Sequence, residues 1–197
     1  MNETDEIVRD WDAAADAFLE ARSAVGRKTV LGWASELPRG ACLLDVGAGS
    51  GWPMAEALSA EGFTVFAVEP SPRLTHELRS RLPAERIDCD SAQASGFFGR
   101  SFDAAIAIGL LFLLPEPEQE ALIKKIAAHL LPGGHFLFSA PEERVNWMDL
   151  TTDRESRSLG RARYCEILEQ AGLRPTAQLC DEGGNAYHAA RKGSGSG

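Results

Sequence analysis

A chain of 197 residues with 44% hydrophobic content carries enough apolar side chain for one full core, and its 20 Lys+Arg against 29 Asp+Glu leave a net charge of −9. An acidic balance of this size disfavours nonspecific binding to nucleic acid or to an anionic membrane. No apolar run approaches the ~18 residues of a membrane span, and the polar, acidic start is unlike a signal peptide, which together predict a cytoplasmic protein.

In chain order, residues 7–24 place Ile7, Trp11, Ala14, Ala15, Phe18 and Leu19 at helical spacing, and residues 28–36 form a second helix that stops before Pro38. Strand 41–46 then feeds a glycine turn, helix 54–60 follows, and strand 64–68 ends beside Glu69. Ser71-Pro72 is an N-cap and N1 pair opening a helix to about Leu82. A short strand, 86–89, leads through an irregular stretch to strand 102–108. Helix 118–130 ends at Pro132-Gly133-Gly134, and strand 135–139 succeeds it. Regularity lapses for some twenty residues after Ala140. Helix 161–171 and strands 176–180 and 186–190 close the chain, the two strands joined by the turn cluster 181–185. Strands alternating with helices at this spacing predict an α/β, Rossmann-like, doubly wound sheet. Its seven strands are mostly parallel, with an antiparallel C-terminal hairpin.

One domain over residues 1–192 is expected, with residues 1–37 as a helical lid and residues 193–197 as a linker or tag remnant. Four dispersed cysteines form no C-x-x-C pair, so neither a metal nor a disulfide is expected; Cys42 and Cys89 fall in apolar runs as buried thiols.

The chemistry concentrates in Leu43-Leu44-Asp45-Val46-Gly47-Ala48-Gly49-Ser50-Gly51, with Glu69 eighteen residues after Gly51. Glycines at 47, 49 and 51 permit positive φ and close approach of a ligand to the backbone, and Glu69 stands where a carboxylate takes two ribose hydroxyls. The dinucleotide fingerprint needs a small residue where this chain has Trp52, followed by Pro53, so a nicotinamide oxidoreductase is disfavoured. Asp45 instead suits a ligand with a cationic amine.

These residues resemble motif I of the class I S-adenosylmethionine-dependent methyltransferases. Phe102-Asp103 before the fourth strand and Leu130-Leu131-Pro132-Gly133-Gly134 before the fifth resemble two further marks of that family, and the likeness covers roughly residues 43–190. It implies that Asp45, Gly47, Ala48, Gly49 and Gly51 hold the methionine part of the cofactor S-adenosylmethionine, with Glu69 and Pro70 at its ribose. The adenine falls to the loop after the third strand, with Asp90 or Ala92, and Ile108 closes the cofactor site. Stretches 11–27 and 97–100 are similar to small bacterial methyltransferases, a likeness that names no acceptor.

Methyl transfer asks little of a protein beyond alignment, although an O–H or N–H acceptor adds the need for a base. The segment 109–114 offers apolar walls and no base, so the region after Ala140 is the place to look. Trp147 and Met148 there suit the face of a small acceptor, or anchor a solvated loop; Glu142 or Glu143 is a possible base. His188, beside Tyr187 in the last strand, faces either a pocket or solvent, and Trp11, Trp52 and Phe112 complete the expected acceptor wall. Trp11 equally fits a core stripe. The resulting expectation is metal-independent transfer to an O, N or S nucleophile of a small molecule by a monomer or homodimer. The alternatives are a protein or peptide methyltransferase and a noncatalytic cofactor-binding regulator.

Overall fold

The computed structural model describes residues 9, 12–149 and 154–194. Seven strands form one sheet: β1 (Cys42–Val46), β2 (Thr64–Val68), β3 (Ile87–Asp88), β4 (Phe102–Ala107), β5 (Leu130–Ser139), β8 (Leu173–Cys180) and β9 (Ala186–Lys192), in the order β3-β2-β1-β4-β5-β9-β8. The first five pair in parallel, and β9 runs antiparallel to both β5 and β8. A doubly wound sheet with an antiparallel C-terminal pair is the architecture that the alternating pattern predicts. Both its faces are covered, so inner strands read as continuous apolar runs whose successive side chains go to opposite cores.

Leu44, Val46, Phe66, Phe136 and Phe138 join one core with helices α5 (Glu116–Ala128) and α6 (Arg161–Gln170). Leu43, Val65, Ala67, Ile106 and Leu137 join the other with α2 (Arg27–Ala34) and α3 (Met54–Ala60). Helix α4 (Pro72–Leu78) opens at Ser71, whose Oγ accepts the Leu74 N–H as the Ser-Pro pair predicts.

Three expectations are corrected. The region after Ala140 is not irregular: β6 (Arg144–Met148) and β7 (Glu155–Leu159) pair antiparallel as a separate two-stranded sheet. Helix α5 ends at Ala128, and Pro132-Gly133-Gly134 lies within β5, where the β4–β5 register shifts between Phe102 and Ala104. Gly134 is packed so tightly there that a Cβ would meet the Leu131 carbonyl oxygen at 2.9 Å. Cys89 is exposed and Cys42 half-buried, so neither is a core thiol.

The N-terminal stretch includes α1 (Ala15–Ala21), which stops before the expected end at Ala24 because Arg22 already turns to extended backbone. It is held over the glycine turn. Phe18 lies against Gly49, where a Cβ would meet its ring at 3.2 Å, and Arg22 Nε donates to the Trp52 carbonyl at 3.2 Å. Asp12 accepts from Ser71 Oγ and from the Arg73 N–H. Trp11, an expected acceptor-wall residue, lies outside the described residues.

Candidate functional site

The sheet order reverses between β1 and β4, and the crevice at the carboxyl ends of those strands is where a doubly wound sheet binds ligands. Asp45 stands one residue from the end of β1, flanked by Ala67 of β2 and Ile106 of β4. The turn that follows is pinned by Gly47 and Ala48, whose N–H groups both donate to the Val68 carbonyl at 2.9 and 3.1 Å. Gly49 and Gly51 have φ of +59° and +81°, the left-handed region that favours glycine. A Cβ at Gly51 would also come within 2.5 Å of Leu78, so this glycine sets how closely α4 packs.

Glu69 is locked by the backbone. Its Oε2 accepts the Gly49 N–H at 2.8 Å and its Oε1 the Ser71 N–H at 2.9 Å. Each oxygen keeps a lone-pair site beyond those bonds, the capacity a diol requires. Burial pushes the Glu69 carboxyl up to about 7, opposed by the Ser71 and Gly49 N–H groups and aided by Asp12. Asp45 is raised likewise to about 7, chiefly by burial, with Arg22 opposing and Glu69 adding to the rise. Asp45 is 3% exposed and its Oδ2 has no hydrogen-bond partner in the structure. Such a buried acceptor is costly unless a ligand completes it.

The loop after β3 divides the two adenine candidates. Asp90 is exposed and accepts its neighbour Ser91's N–H at 2.7 Å, whereas Ala92 is in the core and its carbonyl accepts from Lys125 Nζ at 2.9 Å. Lys125 also takes the carbonyls of Gln93 and Ser95, at 2.8 and 2.7 Å, and so sets the loop's shape from α5. Pro70, between Glu69 and Ser71, is half-buried.

Beside the glycine turn opens a cavity of about 950 Å³, within the ~300–1,000 Å³ usual for small-molecule sites. Phe18 and Arg22, which touch the turn, also line it. Trp147 of β6 also lines it and packs against Phe112 with ring centroids 5.3 Å apart. At the strand ends, Ser139 Oγ accepts the Gly109 N–H at 2.8 Å, tying β5 to the residues after β4.

A methyltransferase-domain model matches residues 15–179. The chain belongs to the methyltransferase-domain family. Among solved structures it is similar to the 1,6-didemethyltoxoflavin-N1-methyltransferase of Burkholderia thailandensis, with 1,6-didemethyltoxoflavin and S-adenosylhomocysteine bound. The two share 20% identity and a TM-score of 0.74, over 98% of this chain and 92% of that one. An amino pentose methyltransferase of Micromonospora echinaspora, with S-adenosylmethionine bound, shares 21% identity and a TM-score of 0.67 over 88% and 93% of the two chains. A putative methyltransferase of Haloferax volcanii, in complex with its Trm112 activator, shares 18% identity and a TM-score of 0.74 over 97% and 99%. No curated protein matches in sequence. The fold is that of the class I methyltransferases, whose methyl donor is S-adenosylmethionine.

The methyltransferase's own residues fit that donor. An ionised Asp45, with its unpartnered Oδ2, would suit the donor's ammonium, Glu69 keeps lone pairs that ribose hydroxyls could use, and Gly47, Ala48, Gly49 and Gly51 would leave the backbone open between them. Ile108, expected at the cofactor, lines the cavity. Phe112, Trp147, Glu142, Glu143 and Tyr187 line it as well.

Three expected residues do not. His188 is buried in the core, stacked on Phe138 at 4.9 Å, with Nε2 at the Ala140 carbonyl, and burial lowers its pKa. Met148 is 55% exposed and outside the cavity lining, because alternate residues of β6 face opposite ways. Trp52 contributes its carbonyl to Arg22 rather than a ring to the cavity. Tyr187 is a poor base, since burial pushes its hydroxyl pKa upward and it already donates to Asp181 Oδ2 at 2.9 Å.

Sequence reasoning missed Phe18, Arg22, Ser139 and Asp181. Arg22 carries the one legible signal, a cation closing the mostly acidic stretch 2–20, in which Arg9 is the single other cation.

Proposed function

We propose that this methyltransferase moves a methyl group to an O, N or S nucleophile of a small molecule held in the cavity beside the glycine turn. The observation that carries the reading is that Phe18 and Arg22 belong to both places, so an acceptor in the cavity adjoins the donor's groove. The neighbours that act on 1,6-didemethyltoxoflavin and on an amino pentose support a small acceptor.

S-adenosylmethionine supplies a methyl already electrophilic on its sulfonium sulfur, which a nucleophile takes in line with the S–C bond. The protein's part is then alignment and exclusion of water. Asp45 and Glu69 would fix the two ends of the donor, α1 would cover it, and Phe112 with Trp147 would set the acceptor's plane. No metal is needed for that chemistry. The reading is of a monomer or homodimer in the cytoplasm acting without nucleic acid or membrane, and the net charge of −9 supports the exclusion of nucleic acid and anionic membrane.

Titration calorimetry with S-adenosylmethionine, S-adenosylhomocysteine and NAD tests the donor. Micromolar binding of the two sulfur nucleosides without NAD is the expected result, with loss of both in Gly49→Val. Binding of NAD alone would remove the assignment. A cofactor-binding module without turnover is the second reading, favoured by the lack of an evident base, since His188 is turned to the Ala140 carbonyl and Tyr187 already donates to Asp181. It predicts binding but no S-adenosylhomocysteine formed with any nucleophile.

A further inference from the structure

The polar lining of the cavity is lopsided. Glu142, Glu143, Asp149 and Asp181 are carboxylates, and Arg22 is the only cation among the described lining residues. Several of its donors are engaged inside the protein. Tyr187 Oη donates to Asp181, Arg22 Nε to the Trp52 carbonyl, and the Gly109 N–H to Ser139 Oγ. Asp181 is itself saturated, by the N–H groups of Gly183 and Asn185, the Asn185 amide and Tyr187. Glu142 and Glu143 differ, because among the described residues neither side chain has a hydrogen bond or an ion pair. They follow Pro141, at the end of the segment that leads into the β6–β7 hairpin, at the exposed rim. The same lining carries apolar side chains, among them Phe112 and Trp147, whose rings lie 52° apart in plane.

A ligand matching this surface combines hydrogen-bond donors and positive charge with a flat apolar body. An anionic acceptor would meet four carboxylates, and a neutral alcohol gains nothing from their charge. Aromatic faces add attraction for a cation, and the net charge of −9 favours its approach.

Resting on the methyl-transfer reading above, we propose that the acceptor is a primary or secondary amine on a small ring-bearing body, so that the reaction is N-methylation. The amine enters as its ammonium and gives one proton to water at the open rim beside Glu142 and Glu143. The freed nitrogen pair forms the N–CH₃ bond while the S–CH₃ bond breaks, and that bond pair stays on sulfur. S-adenosylhomocysteine and a methylated ammonium are the products, with no oxidant or reductant required.

The test uses matched sets in which only the polar end changes: 2-phenylethylamine, 2-phenylethanol and phenylacetate, then tryptamine, tryptophol and indole-3-acetate. Each is titrated into protein saturated with S-adenosylhomocysteine, and methyl transfer is followed separately. The amine of at least one set should bind at least about tenfold tighter than its alcohol and its acid, a preference that falls as salt is raised. Glu142→Gln/Glu143→Gln should reduce that preference to about threefold or less while melting temperature and S-adenosylhomocysteine affinity hold. An alcohol or acid that binds as well as its amine, or no amine binding at millimolar concentration, overturns the N-acceptor assignment alone. A preference unchanged in the double variant does the same. Failure of S-adenosylhomocysteine to bind overturns the methyl-transfer reading, and this inference with it.

Discussion

Asp45 carries two demands that oppose each other. A buried carboxylate oxygen without a partner costs stability, and the same oxygen is what a cationic ligand would seek. Asp45→Asn keeps the shape and removes the charge, so the ligand-free protein should melt about 2–4 °C higher, the shift about 1 kcal/mol gives in a chain of this size, while S-adenosylmethionine affinity falls about a hundredfold. Calorimetry beside a thermal melt checks both signs, and a variant that loses stability would show that Asp45 is satisfied without ligand. Proton linkage follows from the same burial. Asp45 and Glu69 both titrate near 7 in the folded protein, above their ordinary carboxylate values, so the fold holds protons that the unfolded chain has released. Their contribution to stability is therefore complete below the ordinary carboxylate range and is lost as pH rises to about 7. A bound ammonium favours the ionised Asp45 and reverses that penalty. The melting-temperature gain from saturating S-adenosylmethionine should accordingly grow between pH 5.5 and 8, and a gain that is flat or shrinking over that range would contradict the pairing.

Among the elements, α5 does more than fill a core. Lys125, on its inner side, gathers the Ala92, Gln93 and Ser95 carbonyls and lies 4.7 Å from the Phe97 ring centroid, while Ser95 Oγ donates to Asp88 at 2.6 Å. One ammonium thus shapes the loop that follows β3. Lys125→Met, which keeps the stem and removes the donors, should cost about 2 kcal/mol, a drop of about 4–8 °C in melting temperature. Adenosine-containing ligands should weaken with it; unchanged affinity for S-adenosylhomocysteine would show that this loop does not hold adenine. Nothing near Ala92 in sequence announces Lys125, which lies 33 residues away. The central strands were legible because burial on both faces imposes apolar runs, and the glycine turn because positive φ and close packing restrict which residues fit. The β6–β7 hairpin was not. Its residues pair only with each other, β6 is exposed at Arg144, Val145, Asn146 and Met148, and no buried face imposes a period of two on that strand. Arg22 escaped notice for a related reason, since its partners Trp52 and Asp45 come from β1 and the turn beyond it.

For the molecule as a whole, the arrangement of α1 over the sheet decides how a ligand arrives. Asp45 and Glu69 are nearly sealed, Phe18 rests on Gly49, and Asp12 holds Ser71, so the donor groove opens only if α1 moves. The ties that keep it in place are weak. Seven residues are too few for a helix to persist by its own hydrogen bonds, and the Asp16–Arg73 ion pair joins side chains that are 78% and 42% exposed. Arg22 is the firmer anchor, half-buried against the Trp52 carbonyl beside Asp45. Opening therefore costs little but precedes entry, and at high ligand concentration it should become the slow step. Stopped-flow mixing with S-adenosylmethionine, followed by tryptophan fluorescence with Trp52 beside the anchor, should give an association rate that levels off as concentration rises. Phe18→Ala, which removes the ring from the glycine turn and leaves Asp45 and Glu69 intact, should raise that plateau about tenfold, the factor that relieving about 1.4 kcal/mol of contact gives. A rate that stays linear in concentration at the ~10⁵–10⁷ M⁻¹s⁻¹ of ordinary association, and is unmoved by the substitution, would mean that α1 stands open in solution and that the seal over Asp45 forms only around bound donor.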